Sequence, residues 1–424
     1  MSEPEPKDLG EEDLSRLAEA KSERKEGRFS SRGRKKNLTP KQRRKRKTVS
    51  SFIFFAALTA LVVSLMIVLF RGENRDSFDA AFVAIGQGRN WIYLLISLLI
   101  VLVYFAIYPL TMLTFSKALD SEAKPVDSWL IANSEHFYNG VTPSSVGGQP
   151  FQAYALTGCD VSGSKSSAII LMNYINLVAA SVFFGFVSLV YYPNYVEGLK
   201  SVSPNTDLSS LQWLAVIGII LNALNLAFFC LLGFSRKTRH FIVSVVVFFC
   251  KFKWIGKHLS KAVPTLKNYL RDTQSAAKAI VAHPRVMIIA FVERVLIMSL
   301  LYCMPFFLLQ AVGVQVGWDR FMMVMLGTAF ASVCVAWFPT PGGVGAGEWV
   351  SLVVIGSVAM KMGHSFDASI SSAVMFLWRG LSFYLVLLLS FLVSAIFEGR
   401  LNAKLKKEEL LEEKEENRAE NPEP

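Results

Sequence analysis

The sequence predicts an all-α polytopic integral membrane protein with about six full spans and two regions broken by Gly and Pro. Three observations predict it. The 424 residues are 52% hydrophobic and only 18% charged, whereas a soluble domain carries about 25% charged residues. The charges gather at the ends: residues 1–47 hold 16 Lys/Arg and 9 Asp/Glu, and residues 398–424 hold 6 and 9. The 350 residues between them hold 22 and 15, too few to solvate a soluble surface of that size. Long apolar runs recur through that middle part. A cytosolic globular enzyme and a disordered chain are both excluded.

Three parts follow: a basic arm (1–48), a transmembrane domain (49–397) and a charged tail (398–424). The arm begins polar and reads as disordered. Its stretch 32–47 holds ten basic residues and no acid. Nucleic acid could attract such a run. Directly before a span, it fits instead the positive-inside rule and contact with an anionic inner-leaflet surface. The apolar run 52–70 that follows lies too far from the N-terminus to read as a standard signal peptide, so we expect a retained first span.

Six runs are long enough to cross ~30 Å of hydrocarbon at about 1.5 Å per residue: 51–70, 90–113, 167–192, 211–234, 286–311 and 370–397. Loop charge orients them. Loop 71–89 is balanced and reads as external, whereas loop 235–285 carries eleven basic residues and one acid, Asp272, and reads as internal. Within it, 241–250 is apolar but too short to span and should lie along the inner surface. Parity then makes region 129–158 start and finish inside, as a re-entrant pair. Region 321–362 starts and finishes outside. Two broken regions opened from opposite sides suggest an inverted repeat. Both termini are expected in the cytoplasm, and the protein in the cell membrane.

The first broken segment, 133–156, reads NSEHFYNGVTPSSVGGQPFQAYAL; the second, 338–348, reads FPTPGGVGAGE. Proline removes backbone donors and stops helices, and paired glycines permit conformations closed to other residues. Unwound backbone survives at membrane depth only when buried in protein or lining a wet cavity. A helix restarting there presents free N–H groups and the positive end of its dipole, which suits an anion such as a lipid phosphate. A hinge or tight packing point is the plain alternative. Polar residues flank both breaks: Glu135, His136, Asn139, Gln149 and Gln152 at the first, Glu348 at the second. Arg294 and Arg379 also lie within apolar spans, where charge is costly and usually faces the bundle interior. Each could hold a phosphate by paired hydrogen bonds or an acidic side chain of a neighbouring helix. Glu293 and Arg294 are adjacent and should point to different partners.

These stretches resemble a known family. Residues 139–156, with Gly147, Gly148, Gln149 and Gln152, are similar to the first signature of the lysylphosphatidylglycerol synthase transmembrane (flippase-like) family. The run through Gly342 and Gly343 to Glu348 resembles its second signature, and Trp378, Arg379 and Tyr384 resemble its last-span pattern. Many members carry an acid directly after the first Gly pair and an Arg three residues later, where this chain has Gln149 and Gln152. The resemblance covers roughly residues 50–397.

It implies a protein that binds and translocates an anionic phospholipid, with Glu135, Asn139, Gly147, Gly148, Gln149, Gln152, Arg294, Gly342, Gly343, Glu348 and Arg379 as candidate lipid-binding residues. The alternative is headgroup modification by a phosphatidylglycerol lysyltransferase. In two-part synthases that chemistry belongs to a soluble domain after the spans, and 398–424 is too short to fold as one. No catalytic residue, metal or cofactor is expected. The five histidines lack ligand spacing, the five cysteines form no CxxC pair, and there is no Walker A motif.

Overall fold

The structure is a computed structural model. It describes residue 79 and residues 82–142, 147–191, 208–250, 263–335 and 368–420. The basic run 32–47, the first span at 51–70 and the second break, with Gly342, Gly343 and Glu348, lie outside the described residues.

Every regular element among the described residues is helical. In chain order they are α1 (Asn90–Ile107), α2 (Leu110–Ala118), α3 (Pro125–Val141), α4 (Gly148–Gly158), α5 (Gly163–Tyr191), α6 (Leu208–Phe234) and α7 (Arg236–Cys250). They continue as α8 (Val263–Val281), α9 (Pro284–Ala311), α10 (Phe321–Val335), α11 (Ala368–Arg379) and α12 (Val386–Glu420). A π-helical turn, Gly380–Leu385, joins α11 to α12.

Five stretches are long and apolar enough to cross a membrane: Asn90–Ala118, Gly163–Tyr191, Gln212–Phe234, Pro284–Ala311 and Ala373–Lys407. Their outward faces carry apolar stripes at helical spacing. On α6 the stripe is Trp213, Ile217, Ile220, Leu224, Phe228 and Leu231; on α12 it is Leu388, Leu392 and Ile396. In water such continuous faces would aggregate; in a bilayer they meet lipid. The chain is a multi-pass membrane protein.

The span expected at 370–397 is not uniform α-helix. It passes through the π-helical turn directly after Arg379, and α12 then runs on past the apolar region to Glu420. A π-turn inside an α-helix commonly marks a functional position.

The helix ends follow from local chemistry. Pro125 opens α3 at its first position, where a missing N–H costs nothing, and Asp127 in the first turn complements the dipole. Asp160, after α4, takes a left-handed backbone (φ 68°), and Val161 N–H returns to Leu156 O at 3.2 Å. The same closure ends α2, at Asp120, and α9, at Gly313. These are Schellman-type ends, with Asp substituting for the usual Gly twice.

One apolar core links the helices through residues such as Phe115, Ile131, Ile169, Phe306, Phe330 and Phe397. Within it α3 packs on α4 and α12, and α9 packs on α1 and α10. Gly140 is the close point of the α3–α12 contact: a Cβ there would stand 2.5 Å from Leu387 Cδ1. The 11 residues of α4 reach only about 16 Å, too short for ~30 Å of hydrocarbon. The α3–α4 hairpin thus has the proportions of a re-entrant pair. α7 exposes Phe241, Val245, Val247 and Phe248 beside Arg236 and Lys237, the composition of a surface-lying helix.

Candidate functional site

The centre of the first break is a carboxylate. Glu135 lies ten residues into α3, roughly 15 Å from its start, and is 2% exposed. Four side chains donate to it. Tyr108 O–H reaches Oε2 at 3.0 Å and Gln152 Nε2 reaches the same oxygen at 2.9 Å. Gln149 Nε2 and Asn139 Nδ2 reach Oε1 at 3.1 and 3.3 Å. Two donors on each oxygen match the lone-pair capacity of a carboxylate.

Helix geometry places these groups. Asn139 sits one turn after Glu135 on the same face of α3, and Gln149 and Gln152 share a face of α4 at a spacing of three. Tyr138 and Phe151 stack between the two helices at 4.0 Å between ring centroids. The hairpin is closed at its tip by side chains: Gly147 N–H donates to Thr142 Oγ1 at 2.9 Å, and Gly148 N–H to Asn139 Oδ1 at 2.8 Å. The free N–H groups expected at this break are therefore engaged at these two positions by the protein's own oxygens. The sequence reasoning missed this because Thr142 and Asn139 cap the helix from across the break, not from its N-cap position.

Gly148 is required by space. A Cβ there would lie 2.5 Å from Glu135 Cγ and 2.7 Å from Asn139 Oδ1. Only glycine lets α4 start against the carboxylate.

Arg294 joins the site from α9. It is 1% exposed, donates from Nη2 to Asn173 Oδ1 at 2.6 Å, and lies over the Tyr108 ring at 5.1 Å. Its Nε has no hydrogen-bond partner among the described residues. Tyr108 thus touches both charges, with its hydroxyl on Glu135 and its ring against Arg294. The two charges are close enough to interact electrostatically, which offsets part of the cost of burying each. As expected, the neighbouring Glu293 faces elsewhere, accepting from Thr114 Oγ1 at 2.9 Å.

His136 turns to α1, where Nε2 is 3.3 Å from Tyr104 O–H and the ring lies 4.1 Å from that of Tyr108. Glu135 is already filled with donors, so the pair makes a poor acid–base couple. The arrangement can bind and orient a charged group. Among the described residues no group of His, Cys, Asp or Glu could hold a metal ion.

The structure therefore gathers Glu135, Asn139, Gly147, Gly148, Gln149, Gln152 and Arg294 into one cluster. Arg379 has its guanidinium over the Phe383 ring, at 4.8 Å, in the π-helical turn. Sequence reasoning missed Tyr108 and Asn173. The only signal for Tyr108 was its place before Pro109 at the end of an apolar run, and Asn173 had none beyond being an amide in a span.

A rim of ion pairs surrounds the end of the hairpin where α3 starts. Arg400 Nη2 meets Asp127 at 3.0 Å, Lys404 meets Asp160 at 2.5 Å, and Lys165 meets Glu122 at 2.7 Å. The Lys165 ammonium holds the Glu122 carboxyl below the usual carboxylate range. Burial pushes the Cys159 thiol up to about 11.

The family model described as Lysylphosphatidylglycerol synthase TM region matches residues 39–390. Comparison with curated proteins and with solved structures gave no match.

Proposed function

Because the chain belongs to the lysylphosphatidylglycerol synthase transmembrane family, with a membrane lipid-related function, we propose that it binds an anionic phospholipid and translocates it across the bilayer. The observation that carries this reading is the buried Glu135 carboxylate, held by four donors at the junction of a broken helix pair.

A carboxylate and a phosphate diester ask for the same partners: several N–H or O–H donors around a compact negative charge. In the closed hairpin Glu135 takes that place itself. Separation of α4 from α3 releases Gln149 and Gln152, and the lost contact with Gly148 frees Asn139. A headgroup phosphate then receives the amide donors, with Arg294 behind Tyr108 as the fixed countercharge. The acyl chains stay in the bilayer beside the apolar outer faces of the helices. The second break, with Gly342, Gly343 and Glu348, and Arg379 at the π-helical turn, belong in this proposal to the path from the opposite side, as alternating access requires. In this proposal both termini lie in the cytoplasm, the protein lies in the cell membrane, and the basic run 32–47 contacts the anionic inner leaflet.

The test uses proteoliposomes with headgroup-labelled phosphatidylglycerol. Movement of unchanged lipid between leaflets, faster than in protein-free vesicles, is the expected result. A chemically modified headgroup would replace this reading with headgroup transfer, and no movement with no modification would end it.

A further inference from the structure

We propose that a second, separate site near the membrane surface binds the phosphate of an anionic lipid: the cleft between the start of α3, the α4–α5 turn and α12. The cleft has a volume of about 320 Å³, at the lower end of the range for small-ligand sites, about 300–1,000 Å³. Lys124, Arg400 and Lys404 line it, and Asp127 is its one lining acid. Phe397, Leu401 and Cys159 form an apolar wall.

The charge balance favours an anion. Arg400 turns Nε and Nη2 onto a single oxygen of Asp127, at 3.2 and 3.0 Å. Lys404 is shared between Asp160 Oδ2 and the Gly158 carbonyl, at 2.5 and 3.3 Å. Lys124 is exposed and forms no ion pair among the described residues. The lining thus holds three cations and one acid, Asp127, in a concave setting that concentrates their field.

Position argues for a lipid source. The uncharged stretch of α12 ends at Phe397, and Glu398, Arg400, Lys404, Lys406 and Lys407 follow. Such a change from apolar to charged marks headgroup depth, where Lys and Arg reach out to phosphates. The exposed stripe Leu388, Leu392 and Ile396 runs along the same helix and ends one residue before Phe397. Arg400 stands one turn beyond Ile396 on the same face, so an acyl chain lying along that stripe brings its phosphate to Arg400 at the edge of the cleft. The site is distinct from the Glu135 cluster: Asp127 precedes Glu135 by eight residues of α3, about 12 Å of rise.

Cys159 in the wall reports occupancy. The full chain is reconstituted in nanodiscs of phosphatidylcholine alone, or with roughly one-third phosphatidylglycerol. Alkylation of Cys159 is followed by site-resolved mass spectrometry at about pH 9, where thiolate is sufficient. Phosphatidylglycerol should slow labelling about fivefold, as for a site four-fifths occupied. In Lys124→Gln, which breaks no ion pair and so tests the site without endangering the fold, most of that protection should vanish. In Arg400→Gln with Lys404→Gln it should vanish completely. Protection by inorganic phosphate in phosphatidylcholine discs, equal to that by the lipid, would keep the phosphate site and reject the lipid source. Unchanged labelling in every condition, or protection that survives all three substitutions, would overturn the site. The readout is binding alone, so the result stands apart from any measurement of translocation.

Discussion

Gln152 on α4 donates from Nε2 to Glu135 Oε2 on α3 across 2.9 Å. This bond ties the two arms of the broken helix pair together at a carboxylate away from solvent. Buried polar networks of this kind are stable when every member is satisfied and costly when one is lost. The hairpin is therefore both a fixed element and one whose opening exposes a ready set of donors.

Glu135→Leu should be the most damaging single change at the site. It leaves Tyr108, Asn139, Gln149 and Gln152 without their acceptor, and the expected loss is about 3–5 kcal/mol. Glu135→Gln keeps one acceptor oxygen and should lose clearly less. Thermal unfolding in detergent compares them. Melting temperatures of both variants equal to that of the unaltered protein would show that the carboxylate does not hold the hairpin.

Gly148→Val should insert into the membrane yet fail to transport. Its Cβ meets Glu135 and Asn139 within 2.7 Å, and overpacking of this kind costs about 1–3 kcal/mol. Gly343→Val, at the second break, is expected to behave alike. Membrane-fraction yield and lipid movement in proteoliposomes are read together. Ordinary transport by both variants would remove the breaks from the path.

Arg294 and Glu135 should be energetically coupled through Tyr108. Removing either charge alone leaves the other buried without its countercharge, so Arg294→Met and Glu135→Gln should each cost more alone than in the presence of the other. A double-mutant cycle on unfolding free energies should give a coupling of about 1 kcal/mol or more. Strict additivity would separate the two residues.

Cys159 should react as a suppressed thiol. Burial raises it to about 11, with the nearby Asp127 charge adding to the effect. The thiolate is the reactive form, so alkylation should rise about tenfold per pH unit from pH ~7 to ~10. A rate that levels off by about pH 9 would place Cys159 in a wetter, more open setting than the cleft wall gives it.

Parts of this site were legible before any coordinates. Glu135 and Asn139 are one turn apart, and Gln149 and Gln152 share a helical face. The Gly pair between them marks where the chain must fold back. That Gln149 and Gln152 turn their amides onto Glu135, rather than into an open cavity, was not legible. It depends on how closely α4 approaches α3, which the Gly148 contact sets. Five of the expected spans were legible for the same local reason, because hydropathy and length are properties of a single segment. The π-helical turn after Arg379 was not, since the hydropathy pattern of 370–397 passes through it unbroken.

By itself, then, the sequence determined the membrane class, five of the six expected spans and the location of the first break. These follow from transfer free energies and backbone restrictions that act residue by residue. Only the tertiary structure brought Tyr108 from α1–α2 and Arg294 from α9 to the same carboxylate, with Asn173 of α5 as the partner of Arg294. Those contacts join residues up to 186 positions apart, from Tyr108 to Arg294. Their existence depends on which helix faces pack together, and hydrophobic periodicity fixes that a face is buried without fixing its partner.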